Sequence, residues 1–225
     1  MKKLYLFAKI FVFFIIFVIL FNIGLYVFAY ITPKTPLKTA NQISFYDKDN
    51  SLIHSNLDNS KWIKYNKISK NIINATIATE DKNFFNHKGF DYARIIKAFF
   101  INIKRNNLNQ GASTISQQYI KNLYLNFDKK LSRKIEEAYL TFELETHYNK
   151  KQIIEGYLNT INYGAGCYGI NNASKYYFNK NADKLSLAEA TLIVGIPKNP
   201  TKYNPVINYN NAKKRQKIVL NSMVK

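Results

Sequence analysis

The chain has 225 residues, with 33 Lys+Arg against 14 Asp+Glu, a net charge of +19, 47% hydrophobic residues and one cysteine. That cysteine, Cys167, excludes an intramolecular disulfide and a cysteine-rich zinc site, and the apolar fraction excludes a disordered polycation. The length fits one domain, or one domain plus an anchor, and the charge requires an anionic partner or surface.

Residues 10–31 read IFVFFIIFVILFNIGLYVFAYI without a charge, long enough to cross a hydrocarbon core of about 30 Å as a helix. No small-residue cleavage site follows, so the stretch is expected to be an uncleaved signal anchor. Lys2, Lys3 and Lys9 precede it and would keep that end in the cytoplasm, with the remainder outside. Asn22 within the stretch suits helix pairing better than chemistry. Without the three lysines of residues 1–31 the remainder carries +16, and outside the cell nucleic acid gives way to anionic lipids as the partner.

Thr32-Pro33-Lys34-Thr35-Pro36 forms a stiff linker, and QISFYDKDNSLIHS alternates around the turn-forming Asp47-Lys48-Asp49-Asn50, predicting a small hairpin. The chain thus divides into an anchor (1–31), a linker with hairpin (32–66) and a helical domain (67–225). From about Lys67 the period is helical. One helix should deliver Glu80 at its end. Asp91 should cap the next through Ile103, Ser113 or Thr114 a third, and Ser132 the segment RKIEEAYLTFELETHY. Asn149 caps KQIIEGYLN, Ser186 and Glu189 form a capping box, and Pro197 and Pro200 end the run. The fold class is mostly α.

Four segments carry candidate chemistry. Glu80-Asp81 at a helix end, followed by Phe84 and Phe85, could place a carboxylate in a partly apolar cleft suited to general acid–base work, although acidic pairs are as a rule solvated. His87 is a poor metal ligand, since the chain has three histidines and no H-E-x-x-H. Gly111 to Asn122 offers the hydroxyls of Ser113 and Thr114 and the amides of Gln117 and Gln118 to sugar or phosphate oxygens, or simply an N-capped helix with a polar face. Arg133 and Glu137 share a helical face, with Lys129, Lys130 and Lys134 nearby, suiting either pyrophosphate or a plain ion pair. Lys151 to Gly164 is mainly core-like, with Glu155 placed to orient a neighbour.

In order, these segments read E-D-x-x-F-x-x-H-x-G-x-D, G-x-S-T-I-x-Q-Q-x-x-K-N, R-K-x-x-E and I-x-E-x-Y-L-N, and the tail reads L-S-L-A-E-A…G-I-P-K-N-P…Y-N-P. This succession resembles the motifs of family 51 glycosyltransferases, the peptidoglycan polymerases, over residues 40–220. No penicillin-binding transpeptidase domain follows, so the chain is expected to resemble a monofunctional transglycosylase. The resemblance implies a lysozyme-like helical domain with a membrane-embedded small lobe. It also implies lipid II as substrate, inversion at the anomeric carbon and release of undecaprenyl pyrophosphate. It makes Glu80 the general base and Glu137 the second carboxylate, beside the donor pyrophosphate. Lys121, Lys129, Arg133 and Lys134 would neutralise the leaving group. Ser113, Thr114, Gln117 and Gln118 would hold donor sugar or phosphate, and Asp81, Phe84 and His87 would contact substrate.

No organic cofactor is implied; a magnesium or manganese ion beside the pyrophosphate is the one candidate cofactor, with no protein metal site. The implied partners are lipid II, the growing glycan strand, membrane lipids and other cell-wall synthesis proteins, at the bacterial cytoplasmic membrane with a single pass. Phe99, Phe100 and Ile103 are expected at the membrane interface. Asn179 replaces a usual glycine, and Glu136 stands where a neutral or basic residue is common. A lysozyme-like hydrolase is the alternative; it needs one acidic Glu but not the basic motif around Glu137.

Overall fold

The computed structural model describes residues 2–33, 36–37, 44–49, 51–55, 62–104, 111–124 and 131–224. The protein is mostly helical. Helix α1 (Lys2–Ile31) leads to a hairpin of β1 (Ser44–Tyr46) and β2 (Leu52–Ser55), antiparallel, with the Asp47 carboxylate accepting from the Asp49 and Ser51 N–H groups in the turn. Eight helices follow among the described residues: α2 (Lys70–Glu80), α3 (Tyr92–Lys104), α4 (Ile115–Tyr124), α5 (Leu131–His147), α6 (Lys150–Thr160), α7 (Ile170–Phe178), α8 (Leu187–Gly195) and α9 (Tyr209–Val224).

The helix starts follow local chemistry. Ser69 caps α2, the Asp91 carboxylate accepts from the Arg94 N–H at 2.9 Å at the start of α3, and capping boxes open α6 (Asn149, Gln152) and α8 (Ser186, Glu189). Ser132 is not a cap, because α5 already includes Leu131. Asn179 ends α7 in the left-handed region (φ 52°, ψ 32°), a conformation asparagine tolerates, so the turn forms without glycine.

The core lies between α2, α4, α6, α7, α8 and α9, where Ile72, Tyr119, Ile153, Tyr157, Leu158, Ile170 and Ile193 are fully or almost fully buried. Helices α4 and α6 touch because residue 156 is glycine; a Cβ there would overlap the Tyr119 ring. Glu155, half-buried next to Gly156, accepts from Trp62 Nε1 and the Tyr65 N–H, each at 2.6 Å, and so ties residues 62–65 to α6. Helix α3 is different. Only Ala98 is buried, while Ile96, Phe99, Phe100 and Ile103 are exposed.

The end of α1 packs on α5, with Tyr26 against Phe142 and Phe28 against Tyr139. Asn22 accepts from the Tyr92 hydroxyl at 3.0 Å, and the Tyr26 hydroxyl donates to the Lys88 carbonyl at 2.9 Å. The asparagine inside the apolar stretch is thus bonded to the first turn of α3. Among the described residues no helix is long and apolar enough to cross a membrane; the side chains of much of α1 fall outside that description.

Candidate active site

Glu80 is the last residue of α2. The Asp81 N–H still reaches the Ile77 carbonyl at 2.9 Å, but Asp81 itself has left helical geometry. The freed Glu80 carbonyl accepts from the Arg94 guanidinium of α3, which satisfies an otherwise orphaned helix-end group. The Glu80 side chain turns the other way, into a cleft of about 290 Å³ lined by Glu80, Arg94, Ser113, Gln117, Gln118, Lys121, Glu137 and Lys198, among others.

Two neighbours orient the Glu80 carboxylate. Gln118 Nε2 donates to Oε2 at 3.1 Å, and Gln118 Oε1 accepts in turn from the Tyr157 hydroxyl at 3.1 Å. Burial, with the nearby Glu80 charge second, pushes the Tyr157 hydroxyl well above its ordinary pKa, so it remains a neutral donor. Arg215 Nη2 of α9 lies 3.6 Å from Oε1, beyond a hydrogen bond. Oε1 therefore has an ionic neighbour and no hydrogen bond among the described residues.

Glu137, 3% exposed, is held more completely. Lys134 donates to Oε1, as does Gln117 Nε2 at 3.1 Å, and Arg133 Nη1 lies 3.5 Å from Oε2. The α5 helix sets this geometry, since residues three and four apart share a face. Gln117 is fixed at its other end by a capping box: the Gln117 N–H donates to Thr114 Oγ1 at 3.3 Å, and the Thr114 N–H donates to Gln117 Oε1 at 3.1 Å. The adjacent amides of α4 thus hold the two carboxylates, Gln117 taking Glu137 and Gln118 taking Glu80.

Of the residues singled out from sequence, the structure brings Glu80, Ser113, Gln117, Gln118, Lys121 and Glu137 onto the one cleft, with Arg133 and Lys134 bonded to Glu137. It does not bring Asp81, Phe84, His87 or Thr114 to the lining. Asp81, 1% exposed, accepts from the Ile115 N–H at 3.0 Å and pairs with His87 Nε2 at 3.0 Å; it is a buried tie between the end of α2 and the start of α4. Phe84 is fully buried beneath the Lys150 ammonium, 4.5 Å from the ring centroid. Thr114, also fully buried, donates to the Gly89 carbonyl at 2.6 Å. These four were expected at substrate, but they lie behind the cleft and hold its wall. Lys129 lies outside the described residues, as does Lys130.

Two cleft residues, Arg94 and Lys198, and Arg215 beside Glu80 had no distinguishing signal in the sequence. Arg215 sits among Lys213, Lys214 and Lys217 in a basic amphipathic helix, Arg94 looks like an exposed helix cation, and Lys198 falls in a loop between prolines. One indirect mark for Arg215 is Gly195, where a Cβ would come within 2.9 Å of Arg215 Cγ. Among the described residues no group of three or more His, Cys, Asp or Glu could hold a metal ion, and both Glu137 oxygens are already engaged by cations and an amide. The residues present do not fit a divalent cation, so no step is assigned to one.

A helical protein with two differently held carboxylates and several cations around one cleft has the parts of a group-transfer enzyme. The family model for Transglycosylase matches residues 49–224. The chain belongs to that transglycosylase family. It is 49% identical over 164 residues to penicillin-binding protein 2D of Bacillus subtilis (strain 168), covering 73% of this chain and 24% of that protein. It is 38% identical over 181 residues to penicillin-binding protein 4 of the same organism, with 79% and 29% covered. Identity with penicillin-binding protein 1A of Aquifex aeolicus (strain VF5) is 43% over 163 residues, 72% of this chain and 22% of that one. The matched region is thus less than a third of each relative's length. A crystal structure of penicillin-binding protein 1A from Haemophilus influenzae aligns with a TM-score of 0.43 and 21% identity over 83% of this chain and 18% of that chain.

Proposed function

We propose that the protein is a peptidoglycan glycosyltransferase that polymerises lipid II into glycan strands, releasing undecaprenyl pyrophosphate. The observation that carries this reading is the pairing of one accessible carboxylate, Glu80, with one cation-neutralised carboxylate, Glu137, on a single cleft. Glu80 Oε1, free of hydrogen bonds among the described residues, takes the proton from the acceptor sugar 4-hydroxyl. That oxygen forms a bond to the donor anomeric carbon as the bond to pyrophosphate breaks, which inverts the centre. Such proton transfer typically contributes about 10²–10⁴-fold.

The leaving group carries its own negative charge away, so cations can replace a general acid. Lys121, Arg133 and Lys134 serve there, with Glu137 fixing the two cations of α5. The buried Nε–H groups of Arg133 and Arg215 have no acceptor among the described residues, which fits an anionic ligand at this site. Ser113 and Gln118 face sugar or phosphate oxygens. A lysozyme-like arrangement, residues 67–225 as the catalytic domain and 32–66 as linker and hairpin, belongs to the same reading.

Residues 1–31 act as a single-pass anchor in the cytoplasmic membrane with the catalytic domain outside. The exposed Phe99, Phe100 and Ile103 of α3 support a lobe lying against lipid. The indole introduced by Phe100→Trp would then be quenched by brominated acyl chains; no quenching would place α3 in water. The test of the function itself is incubation of the full chain with lipid II and a gel of the products. A ladder of strands that vanishes in Glu80→Gln supports the reading. Shortening of preformed strands would point to the hydrolase, and wild-type polymerisation by Glu80→Gln would remove Glu80 as base.

A further inference from the structure

A second cleft has a volume of about 480 Å³. Asn162, Tyr176, Thr201, Asn204, Val206 and Ile207 are among its walls, and among the described residues no lining side chain carries a charge. On a chain of net charge +19 that is unusual, and it contrasts with Glu80, Arg94, Lys121, Glu137 and Lys198 around the first cleft. An anionic ligand would find no cation here, so lipid head groups and pyrophosphate do not fit. A neutral, hydroxyl-rich and partly apolar ligand does.

The walls are built rather than incidental. The loop at 162–169 is closed on itself by the Gly164 N–H donating to Asn162 Oδ1 at 2.7 Å, and by two backbone bonds of 2.8 Å, the Tyr163 N–H donating to the Cys167 carbonyl and the Cys167 N–H to the Gly164 carbonyl. Gly164, Ala165 and Gly166 all have positive φ, and Ala165 pays for it with a side chain, at φ 51°. On the facing wall Asn204 is 3% exposed, and its Oδ1 accepts from the Val206 N–H at 2.9 Å. Tyr176 presents a ring that is 54% exposed, while Val206 and Ile207 stand out beside it at 67% and 71%. The size falls within the roughly 300–1,000 Å³ of small-molecule sites.

One short segment, 197–201, contributes to both clefts. Pro197 and Lys198 line the first, while Pro200 and Thr201 line the second. Lys198 and Pro200 are two residues apart, so their Cα atoms are separated by at most about 7 Å.

We propose that the second cleft is a subsite for an uncharged N-acetyl sugar of the glycan strand, with the Tyr176 ring against the sugar face, the Asn162 and Asn204 amides at its hydroxyls, and Val206 and Ile207 at the acetyl methyl. The proposal rests on the polymerase reading. The subsite keeps the strand on the enzyme between additions, and so acts on strand length rather than on bond formation.

The experiment uses the full chain in detergent micelles and a neutral probe, the β-1,4-linked tetramer of N-acetylglucosamine. Tyr176→Ala should bind the tetramer about tenfold more weakly, the loss typical of removing one aromatic anchor. Val206→Asp should weaken it as well, while Tyr176→Phe retains the wild-type affinity. With lipid II, Tyr176→Ala should still join the first units but yield shorter strands. Unchanged tetramer binding and unchanged strand length in both weakening variants would overturn the subsite alone. A wild-type chain that makes no strands would overturn the polymerase reading, and with it the assigned occupant.

Discussion

Glu80 and Glu137 are carboxylates on one cleft, bound by neighbouring glutamines of one helix, yet their surroundings differ in kind. Glu137 is buried, and its two oxygens receive two cations and an amide. Glu80 is partly exposed, receives one amide, and has Arg215 at 3.6 Å. A carboxylate whose two oxygens both face cations is a poor proton acceptor and a good fixed counter-charge. One with an open oxygen can accept a proton without first breaking a bond. The same residue type thus supports two different roles, and the difference comes from what α4, α5 and α9 bring to each.

The sharpest way to break this comparison is Glu80→Gln. It should lower the rate of strand formation by about 10²–10⁴-fold while leaving thermal unfolding nearly unchanged, since the residue has few contacts. Glu137→Gln should also slow the reaction. It should in addition cost about 1–3 kcal/mol of stability, because Lys134 and Arg133 lose a buried partner; calorimetry or denaturant unfolding reads this directly. If Glu137→Gln left stability intact, the counter-charge role would be lost.

Arg215→Met should cost less, about tenfold in kcat/KM, by freeing the Glu80 carboxylate from its ionic neighbour; Arg215→Lys should recover part of it. The smallest effect lies far from the cleft. Lys180, aided by the Ser186 N–H, holds the exposed Glu189 carboxyl down to about 2 from an ordinary value of 4.5. A depressed folded pKa contributes stability that is complete above pH 4.5 and is lost as pH falls through 2. Acid unfolding of the wild type and Glu189→Gln should therefore differ near neutrality and converge near pH 2.

Much of the fold was written in local chemistry. The caps at Asp91, Asn149 and Ser186, the hairpin turn at Asp47 and the end of α2 at Glu80 all rest on residues close in sequence, and each formed. The pairing of Arg133, Lys134 and Glu137 was legible for the same reason. What sequence spacing could not convey was depth. Asp81 and Thr114 share polar motifs with true cleft residues, yet their partners Ile115 and Gly89 are brought to them only by tertiary packing, and His87 is spent on Asp81. Arg215 lies 135 positions from Glu80 and carries no local pattern that separates it from the lysines around it. Exposure was partly legible on α3, where Phe99, Phe100 and Ile103 were expected at an interface and do face outward.

The central claim is that Glu80 moves the proton and Glu137 does not. The most direct test is the pH dependence of kcat/KM with lipid II, for the wild type and for Glu137→Gln. The account predicts that both show the same acid limb, with only the plateau lowered in the variant. Loss of that limb in Glu137→Gln would mean that Glu137 titrates in catalysis, and would contradict the division of roles proposed for the two carboxylates.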